Sequence, residues 1–266
     1  MEPYRYGRMS DRPDHHITKD GSSTLFSNKY NQYYHNPNGS FSESKHVFFE
    51  TPQVPNALSE KEKITIFETG FGTGLNFLLL LDYYLSNTCS SEVHFYSVEA
   101  FPVTAEEAEK FNFASFSEFR ELDPVLKNVF SVLKEGMNVI KPLAEIDVTL
   151  NLFIGKFEDF DADDIQTDFF FHDAFSPEVN QELWTSETFK KLHSIAKKEA
   201  VLSTYCAASK ARAAMAVAGW KLAKTQGALG KREMTIASIS EEKLTGFKRV
   251  NEERLIKRYN EGDFNH

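Results

Sequence analysis

The chain has 266 residues, of which 41% are hydrophobic and 26% charged, and its formal net charge is −9. This composition is ordinary for a globular protein with one substantial core, and the acidic balance argues against a general nucleic-acid coat protein. No apolar run approaches the roughly 18 residues that a membrane span requires, and the N-terminus lacks the apolar region of a signal peptide. Two cysteines far apart in sequence, Cys89 and Cys206, favour a reduced protein, and we expect a cytoplasmic one.

The first 60 residues are polar and aromatic, and they contain short β-type segments. A Pro-Asn-Gly turn at Pro37 to Gly39 predicts a short hairpin that caps the main domain. The segment "KHVFFE" (Lys45 to Glu50) is a candidate strand. We therefore predict an N-terminal extension over residues 1–60, a main domain over 61–240 and a charged C-terminal tail over 241–266.

From Lys63 onward, strand-like segments alternate with helix-like ones. The predicted strands are "ITIFET", "EVHFYSVEA", "DVTLNLFIG", "TDFFFHDAF" and "AVLSTY", followed by two in "WKLAKTQGALGKREMTIASIS" that are joined by a glycine-rich loop. The predicted helices are "LNFLLLLDYYL", residues 104–135 with a break at Pro124, residues 181–198 and residues 209–218. Such alternation is typical of a parallel sheet with helices on both faces, and the final hairpin would make one edge strand antiparallel.

The segment "ETGFGTGLN" places three glycines between the first of these strands and its helix. In an open α/β sheet the ligand lies at the carboxyl ends of the strands, where bare backbone lets it approach the helix N-terminus. A dinucleotide fingerprint needs glycine where Leu75 stands, and no Gly-Lys-Ser/Thr of a P-loop follows. Gly70, Gly72 and Gly74, preceded by Glu68, instead resemble motif I of class I S-adenosylmethionine methyltransferases. A glycine turn with a purely structural role is the alternative.

Three carboxylates lie where such a ligand would need them. Glu68 could accept charge-assisted hydrogen bonds from an ammonium group, and Glu99 ends the second strand, where it could accept from ribose hydroxyls. Asp173 ends the fourth strand and could orient an amine or accept its proton. The alternatives are an exposed strand-end glutamate for Glu99 and a turn cap for Asp173. His172 should face the opposite side of its strand, and no metal site is expected, because the histidine pair near the N-terminus lacks partners at ligand spacing.

Longer signatures narrow the class. "ETGFGTGLNFL", "VEAFPVT", "DAFSPEVNQELWT" and "GALGKREM" closely resemble the methyltransferase domain of MnmC, a bacterial enzyme that modifies the wobble uridine of certain tRNAs. The resemblance extends from about Leu25 to about Ile239. It implies a Rossmann-like class I α/β fold with a mostly parallel seven-stranded sheet, one antiparallel edge strand and a small N-terminal β-rich extension.

The resemblance also implies a reaction: methyl transfer from S-adenosylmethionine to the exocyclic amine of 5-aminomethyl-(2-thio)uridine at the wobble position, giving the 5-methylaminomethyl form. The residues assigned to the methyl donor are Glu68, Gly70, Gly72, Gly74, Asn76, Glu99 and Phe157. The catalytic residue would be Asp173, with Phe175, Ser176 and Pro177 framing the amine. Lys231 and Arg232 would contact the anticodon stem-loop of the tRNA or the pocket rim.

Two features depart from the family pattern. The best-known members carry a second, flavin-dependent oxidoreductase domain, and no second glycine fingerprint follows here. We therefore expect a stand-alone methyltransferase whose substrate comes from a separate oxidoreductase or from other wobble-uridine modification enzymes that act upstream. In addition, Lys156 stands where the family commonly places an aspartate, so Asp159 or the backbone of Phe157 is the candidate replacement for its contact with adenine.

The charge distribution bears on the substrate. Six basic residues and no acidic one lie between Ala200 and Arg232, which would suit phosphate contacts on an otherwise acidic protein. The alternative is a solvated surface of a helix and a hairpin. The alternative function is a class I methyltransferase acting on a protein or small-molecule amine. A nicotinamide-dependent oxidoreductase and a non-catalytic Rossmann-like binding module are weaker rivals.

Overall fold

The computed structural model describes residues 12–264. This part of the chain contains twelve strands: β1 Asp14–Ile17, β2 Ser23–Ser27, β3 Gln32–Tyr33, β4 Lys63–Thr69, β5 Glu92–Glu99, β6 Gly136–Ile140, β7 Val148–Ile154, β8 Thr167–His172, β9 Ala196–Thr204, β10 Lys221–Thr225, β11 Met234–Ser238 and β12 Lys248–Arg249. It also contains eight α-helices: α1 Ser40–Ser44, α2 Val54–Glu60, α3 Leu75–Ser86, α4 Ala105–Ala108, α5 Val125–Val132, α6 Ser186–Ser194, α7 Ser209–Val217 and α8 Glu252–Asn260.

Nine of the strands form one sheet in the order β12-β10-β11-β9-β8-β4-β5-β7-β6. The five strands β4, β5, β7, β8 and β9 run parallel, whereas β6 is antiparallel to β7 and β11 is antiparallel to β9. The predicted Rossmann-like α/β class and mostly parallel sheet are therefore confirmed. The expected seven strands and single antiparallel edge strand are both too few, because β6 and β12 add a strand at each edge and β6, β11 and β12 all run opposite to the central strands.

Aromatic side chains fill both faces of this sheet. Along β8, Phe171 points to the face covered by α3 and Phe170 to the face covered by α6 and α7, and both are fully buried. This alternation follows from the period of two in a strand. On the second face, Phe170 packs edge-on against Trp220 with ring centroids 5.5 Å apart. Burial on both sides explains the three consecutive phenylalanines, 169 to 171, in the middle of β8.

The segment "KHVFFE" is not a strand, which corrects the prediction. Lys45–Glu50 forms a π-helical turn that continues α1. Its three consecutive apolar residues are all buried, and the rings of Phe48 and Phe49 both pack on Phe171, at 5.3 and 5.2 Å. A strand would have sent these neighbours to opposite faces, and a short apolar run does not distinguish the two conformations by periodicity.

Two predicted helices are also shorter than expected. Within residues 104–135 only α4 and α5 are α-helical, with 3₁₀ turns at Phe113–Phe116 and Arg120–Leu122 between them. Within residues 181–198 a 3₁₀ turn, Gln181–Trp184, precedes α6. The side chain of Thr185 accepts a hydrogen bond from Thr188 N and so sets the start of α6. The remaining predicted strands and helices of the main domain are present.

The N-terminal extension forms a small antiparallel sheet of β1, β2 and β3, whose strands are connected at residues 18–22 and 28–31. The turn at Pro37 to Gly39 follows β3 and leads into α1, so it does not close the predicted hairpin. Strand β12 and helix α8 lie in the predicted C-terminal tail, and Leu255 anchors α8 in the core. Residues 1–11 and 265–266 of these two predicted segments lie outside the described residues, and the division into domains stays a prediction. Among the described residues, no helix combines the length and apolarity needed to cross a bilayer.

Candidate functional site

A cavity of about 850 Å³ opens where the carboxyl ends of β4, β5 and β8 meet. Strand β4 lies between β5 and β8. The chain continues from β4 to β5 on one side and later returns to β8 on the other side, so the strand order reverses at β4. Such a reversal is the usual position of a ligand crevice in this class of fold. The cavity walls come from the glycine turn, the end of β5, the loop after β8, residues 155–158 and the N-terminal extension. Its volume is typical of small-molecule sites.

The glycine turn depends on its missing side chains. Gly70, Gly72 and Gly74 have φ angles of 91°, 53° and 76°, in the left-handed region that favours glycine. A Cβ atom on Gly70 would lie 3.1 Å from the backbone oxygen of Asp173, and one on Gly74 would lie 2.7 Å from Leu126 Cδ2. The turn therefore brings bare backbone directly against the loop that carries Asp173.

Glu99 holds this turn from the other side. Its two carboxylate oxygens accept hydrogen bonds from Gly72 N at 2.8 Å and from Phe101 N at 2.7 Å. Burial raises the pKa of the Glu99 carboxyl. The carboxylate lines the cavity, where it can accept further hydrogen bonds from a ligand.

Glu68, Asn76 and Asp173 form a hydrogen-bonded chain. The side-chain nitrogen of Asn76 donates to Glu68 Oε1 and to Asp173 Oδ2, both at 2.9 Å, and Ser97 Oγ donates to Glu68 Oε2 at 2.8 Å. Glu68 is only 1% exposed and does not line the cavity. The structure thus brings all three residues together, but it places Glu68 behind Asn76.

Burial raises the pKa of both Glu68 and Asp173 well above the usual range. The Asp173 charge raises the pKa of Glu68 further, and the Glu43 charge does the same for the pKa of Asp173. Asn76 Oδ1 is buried and finds no hydrogen-bond partner among the described residues. Within residues 12–264, little positive charge lies near Glu68 and Asp173 to offset their carboxyl groups, and Asn76 Oδ1 has no donor. The site therefore favours a ligand that carries cationic or hydrogen-bond-donating groups.

His172, next to Asp173, points to the other face of β8 as predicted. It is fully buried, with its ring 4.4 Å from Trp184 and 4.9 Å from Phe189. Burial lowers the pKa of this imidazole to about 3, so it is neutral at ordinary pH. It packs within the core and does not line the cavity.

The predicted acceptor residues divide between two surfaces. Phe175 lines the main cavity, whereas Ser176, Pro177, Lys231 and Arg232 line a neighbouring shallow depression. Lys231 Nζ lies 2.7 Å from Glu43 Oε1 and above the ring of Tyr205. The loop after β8 separates the two surfaces, so Asp173 lies close to both.

The basic segment is less positive than its sequence suggests. Four of its six cations form ion pairs: Arg212 and Lys224 with Glu233, Lys221 with Glu241, and Lys231 with Glu43. Arg212 is buried and also donates to Thr235 Oγ1 and Met234 O. It therefore stabilises the hairpin and is not accessible to a phosphate group. The other two, Lys210 and Arg232, are exposed and have no ion pair or side-chain hydrogen bond within residues 12–264. The expected phosphate-binding surface is therefore reduced to these two cations, of which Arg232 lines the shallow depression.

Phe157 and Lys156 line the cavity opposite the glycine turn. Lys191 donates to the backbone oxygen of Phe157 at 2.9 Å and lies over its ring. Lys156 Nζ lies 3.0 Å from Glu158 and is 70% exposed. Asp159, one predicted replacement for the family aspartate, does not line the cavity, whereas its neighbour Glu158 does.

Several cavity residues escaped the sequence analysis. They come from the N-terminal extension, from the glycine turn itself and from the segment around α6: Tyr30, Tyr34, His35, Thr73, Asn180, Leu183 and Thr188. The aromatic content of the extension was the available signal, but no local pattern places residues 30–35 beside a turn that lies forty residues later.

Comparisons with known proteins agree with this site. Residues 117–240 match a family model of S-adenosyl-L-methionine-dependent methyltransferases. The crystal structure of MNMC2 from Aquifex aeolicus superposes with a TM-score of 0.71 at 23% identity, covering 95% of this chain and 77% of that one, which shows a shared fold. The fold and site therefore define an S-adenosylmethionine-dependent methyltransferase, and S-adenosylmethionine is its cofactor.

Sequence relatives are more specific. The chain is 32% identical over 229 residues to the tRNA 5-methylaminomethyl-2-thiouridine biosynthesis bifunctional protein MnmC of Leptospira interrogans, covering 85% of this chain and 35% of that protein. It is also 32% identical over 221 residues to the protein of the same name from Marinomonas sp., covering 80% and 32%. The chain is therefore similar to these MnmC proteins over most of its own length, and it spans about a third of theirs.

The residues present fit this cofactor. The glycine turn leaves space that a Cβ would fill, the Glu99 carboxylate lines the cavity, and the charge of Lys231 and the amide of Asn76 offset the burial of Asp173 only in part, since its pKa stays raised. S-adenosylmethionine offers a ribose with two hydroxyls, an ammonium group and a positively charged sulfur, which match these acceptors in kind.

Proposed function

We propose that this protein transfers a methyl group from S-adenosylmethionine to the exocyclic amine of 5-aminomethyl-(2-thio)uridine at the wobble position of tRNA, giving 5-methylaminomethyl-(2-thio)uridine. The observation that carries the proposal is the position of Asp173. Its backbone oxygen lies against Gly70 and its carboxylate is fixed by Asn76, so a proton acceptor stands beside the donor turn. The names of the MnmC relatives supply the substrate.

The cofactor supplies a methyl group on a positively charged sulfur, which leaves as a neutral thioether when the nitrogen–carbon bond forms. The chain must present the amine with a free lone pair, although an alkyl amine is largely protonated at neutral pH. Burial makes the Asp173 carboxylate a stronger base than an exposed one, so it can bind the ammonium form and accept a proton from it. The nitrogen keeps its two remaining protons as the methylated ammonium product, and the Asp173 carboxylic acid returns its proton to solvent once the product has left. Positioning supplies much of the remaining rate.

Each site residue takes a role under this proposal. Glu99, the three glycines and Phe157 bind the donor, with Glu99 accepting from its ribose. Glu68 acts through Asn76, since it is buried beneath that side chain. Phe175, Ser176 and Pro177 frame the base, and Arg232, with Lys231 beside it, contacts the anticodon stem-loop. The protein would act in the cytoplasm, downstream of a separate enzyme that generates the aminomethyl group.

The test is to incubate the protein with tRNA from a strain that lacks wobble methylation and with donor labelled in its methyl group. Digestion to nucleosides should place the label in 5-methylaminomethyluridine or its 2-thio form, and Asp173→Asn should abolish the signal. If the protein binds the donor but the tRNA stays unlabelled, the proposed substrate is wrong. Label in an added protein or small-molecule amine would favour the alternative. Steep loss of tRNA binding with rising salt would support a phosphate-reading enzyme.

A further inference from the structure

Residues 30–35 cross from the N-terminal sheet to the mouth of the main cavity, and we call them the strap. We propose that the strap belongs to the methyl-donor site, with Tyr34 and His35 as positioning residues that hold the glycine turn in its binding conformation and cover the bound donor. The inference rests on the donor site of the proposed function and is independent of its tRNA substrate.

His35 joins the strap to the turn. Its ring lies between two hydroxyls, with Nδ1 at 3.2 Å from Thr24 Oγ1 and Nε2 at 3.3 Å from Thr73 Oγ1. Thr24 belongs to β2, and Thr73 lies between Gly72 and Gly74. A neutral imidazole has one donating and one accepting nitrogen, and hydroxyls can meet both. The ring therefore links the N-terminal sheet to the centre of the glycine turn.

Tyr34 covers the same turn from outside. A Cβ on Gly72 would lie 3.4 Å from Tyr34 Cδ1, so the tyrosine ring rests at contact distance on bare backbone. The Gly72 amide on that peptide donates to Glu99. Ring, turn and carboxylate thus form three successive layers, and displacing the ring would free the residue whose amide orients Glu99.

The strap also reaches the opposite wall of the cavity. The rings of Tyr30 and Tyr34 lie 5.1 and 4.9 Å from the ring of Phe175, two residues after Asp173. The strap is fixed from behind, because Tyr34 N donates to Leu25 O at 2.8 Å. It consequently spans the space between the donor turn and the catalytic loop, where a cover would exclude water from the reacting groups.

The test measures the affinity for S-adenosylhomocysteine by calorimetry, without tRNA. Tyr34→Ala and His35→Ala should each weaken binding about tenfold or more, which is about 1.4 kcal/mol. Phe26→Ala is the matched control, because it lies in β2 outside the strap, its ring packs on His16 and Tyr33 in the N-terminal sheet, and it does not line the cavity. Unchanged affinity in the two strap variants, or an equal loss in Phe26→Ala, would overturn the proposal.

Conservative variants separate positioning from general loosening. His35→Gln can keep the contact at the Nε2 position to Thr73, whereas His35→Asn can keep only the one to Thr24, so glutamine should rescue donor affinity and asparagine should not. Equal behaviour of the two His35 variants would contradict a role through Thr73.

Hydrogen exchange of the unmodified protein gives a readout that does not depend on how the variants fold. S-adenosylhomocysteine should slow exchange of the strap amides more than those of β1, because binding would close the strap over the ligand. If the strap amides gain no such protection, the proposal that the strap covers the bound donor is wrong. Since none of these measurements uses tRNA, their failure and a failure of the substrate proposal are distinguishable.

Discussion

Asn76 Nδ2 lies 2.9 Å from Oδ2 of Asp173, and the same nitrogen donates to the buried Glu68. A single amide thus orients the proposed catalytic carboxylate and satisfies the acid behind it. One consequence is that two carboxyl groups share one donor in a buried site, so both are easier to protonate than exposed acids. The first prediction follows from this arrangement.

Asp173→Asn should lower methyl transfer by about 10²–10⁴, the usual contribution of a general acid–base group, while donor binding persists. The variant should also be more stable near neutral pH. Because the folded pKa of Asp173 is raised, its ionisation costs stability as the pH rises through and above the unfolded value, and asparagine removes that cost. Turnover and thermal unfolding measure the two effects. Asp163→Asn, at an exposed position, is the control; activity close to wild type in Asp173→Asn would disprove the assignment.

Glu99→Gln should weaken donor binding by roughly 10- to 100-fold, in keeping with the 1.5–3 kcal/mol of hydrogen bonds to a charged group. Glutamine retains one oxygen for a backbone amide, whereas Glu99→Ala leaves the amides of both Gly72 and Phe101 without their acceptor. The alanine variant should therefore lose stability as well as affinity. Calorimetric titration with donor and thermal unfolding check both points. A change confined to the acceptor KM would contradict the donor role.

Gly74→Ala should destabilise the protein more than Gly136→Ala. Both glycines have positive φ, at 76° and 85°, so both substitutions strain the backbone. Only at Gly74 does the new Cβ meet a neighbour, Leu126 Cδ2 at 2.7 Å; nothing lies within 4 Å at Gly136. The difference in unfolding free energy should be about 1–3 kcal/mol, the usual cost of overpacking. Equal losses in denaturant titrations would show that the turn relaxes freely.

Arg232→Glu should weaken tRNA binding without changing the melting temperature, because Arg232 is exposed and unpaired among residues 12–264. The slope of log K against log salt should fall by about one for the lost phosphate contact. Lys231→Glu should instead lower stability, since it replaces the ion pair with Glu43 by two like charges. Donor affinity serves as the internal reference. Salt-independent binding in both variants and wild type would remove the tRNA contact from this loop.

His172→Phe should flatten the acid side of the stability profile. Burial lowers the folded pKa of His172 to about 3, so between pH 6.5 and that value only the unfolded chain takes up the proton. The unfolding free energy of the wild type therefore falls as the pH drops, by about 2 kcal/mol between pH 6.5 and 5 for this group. Phenylalanine cannot protonate, and the exposed His16→Gln should behave as wild type. Parallel profiles for His172→Phe and wild type would contradict the burial argument.

Local sequence patterns determined the class of this protein. The left-handed backbone at Gly70, Gly72 and Gly74 is a local requirement that only glycine meets easily. Acids at the ends of apolar strands, such as Glu99 and Asp173, meet at one edge of a parallel sheet wherever the strands pair. Strand–helix alternation therefore predicted the fold, and the glycine spacing predicted a turn of bare backbone at the sheet edge where Asp173 lies.

Only the tertiary structure decided what distant residues do to each other. Three contacts join residues that are far apart in the chain: the packing of Phe48 and Phe49 on Phe171, the hydrogen bond from Asn76 to Asp173, and the ion pair of Lys231 with Glu43. The sequence shows how many basic residues a segment has. It does not show that Lys231 is paired with Glu43, an acid 188 positions away. Hydrophobic periodicity likewise indicates which side chains are buried, but not which residues they pack against. The contact of the strap with the glycine turn is therefore evident only in the folded chain.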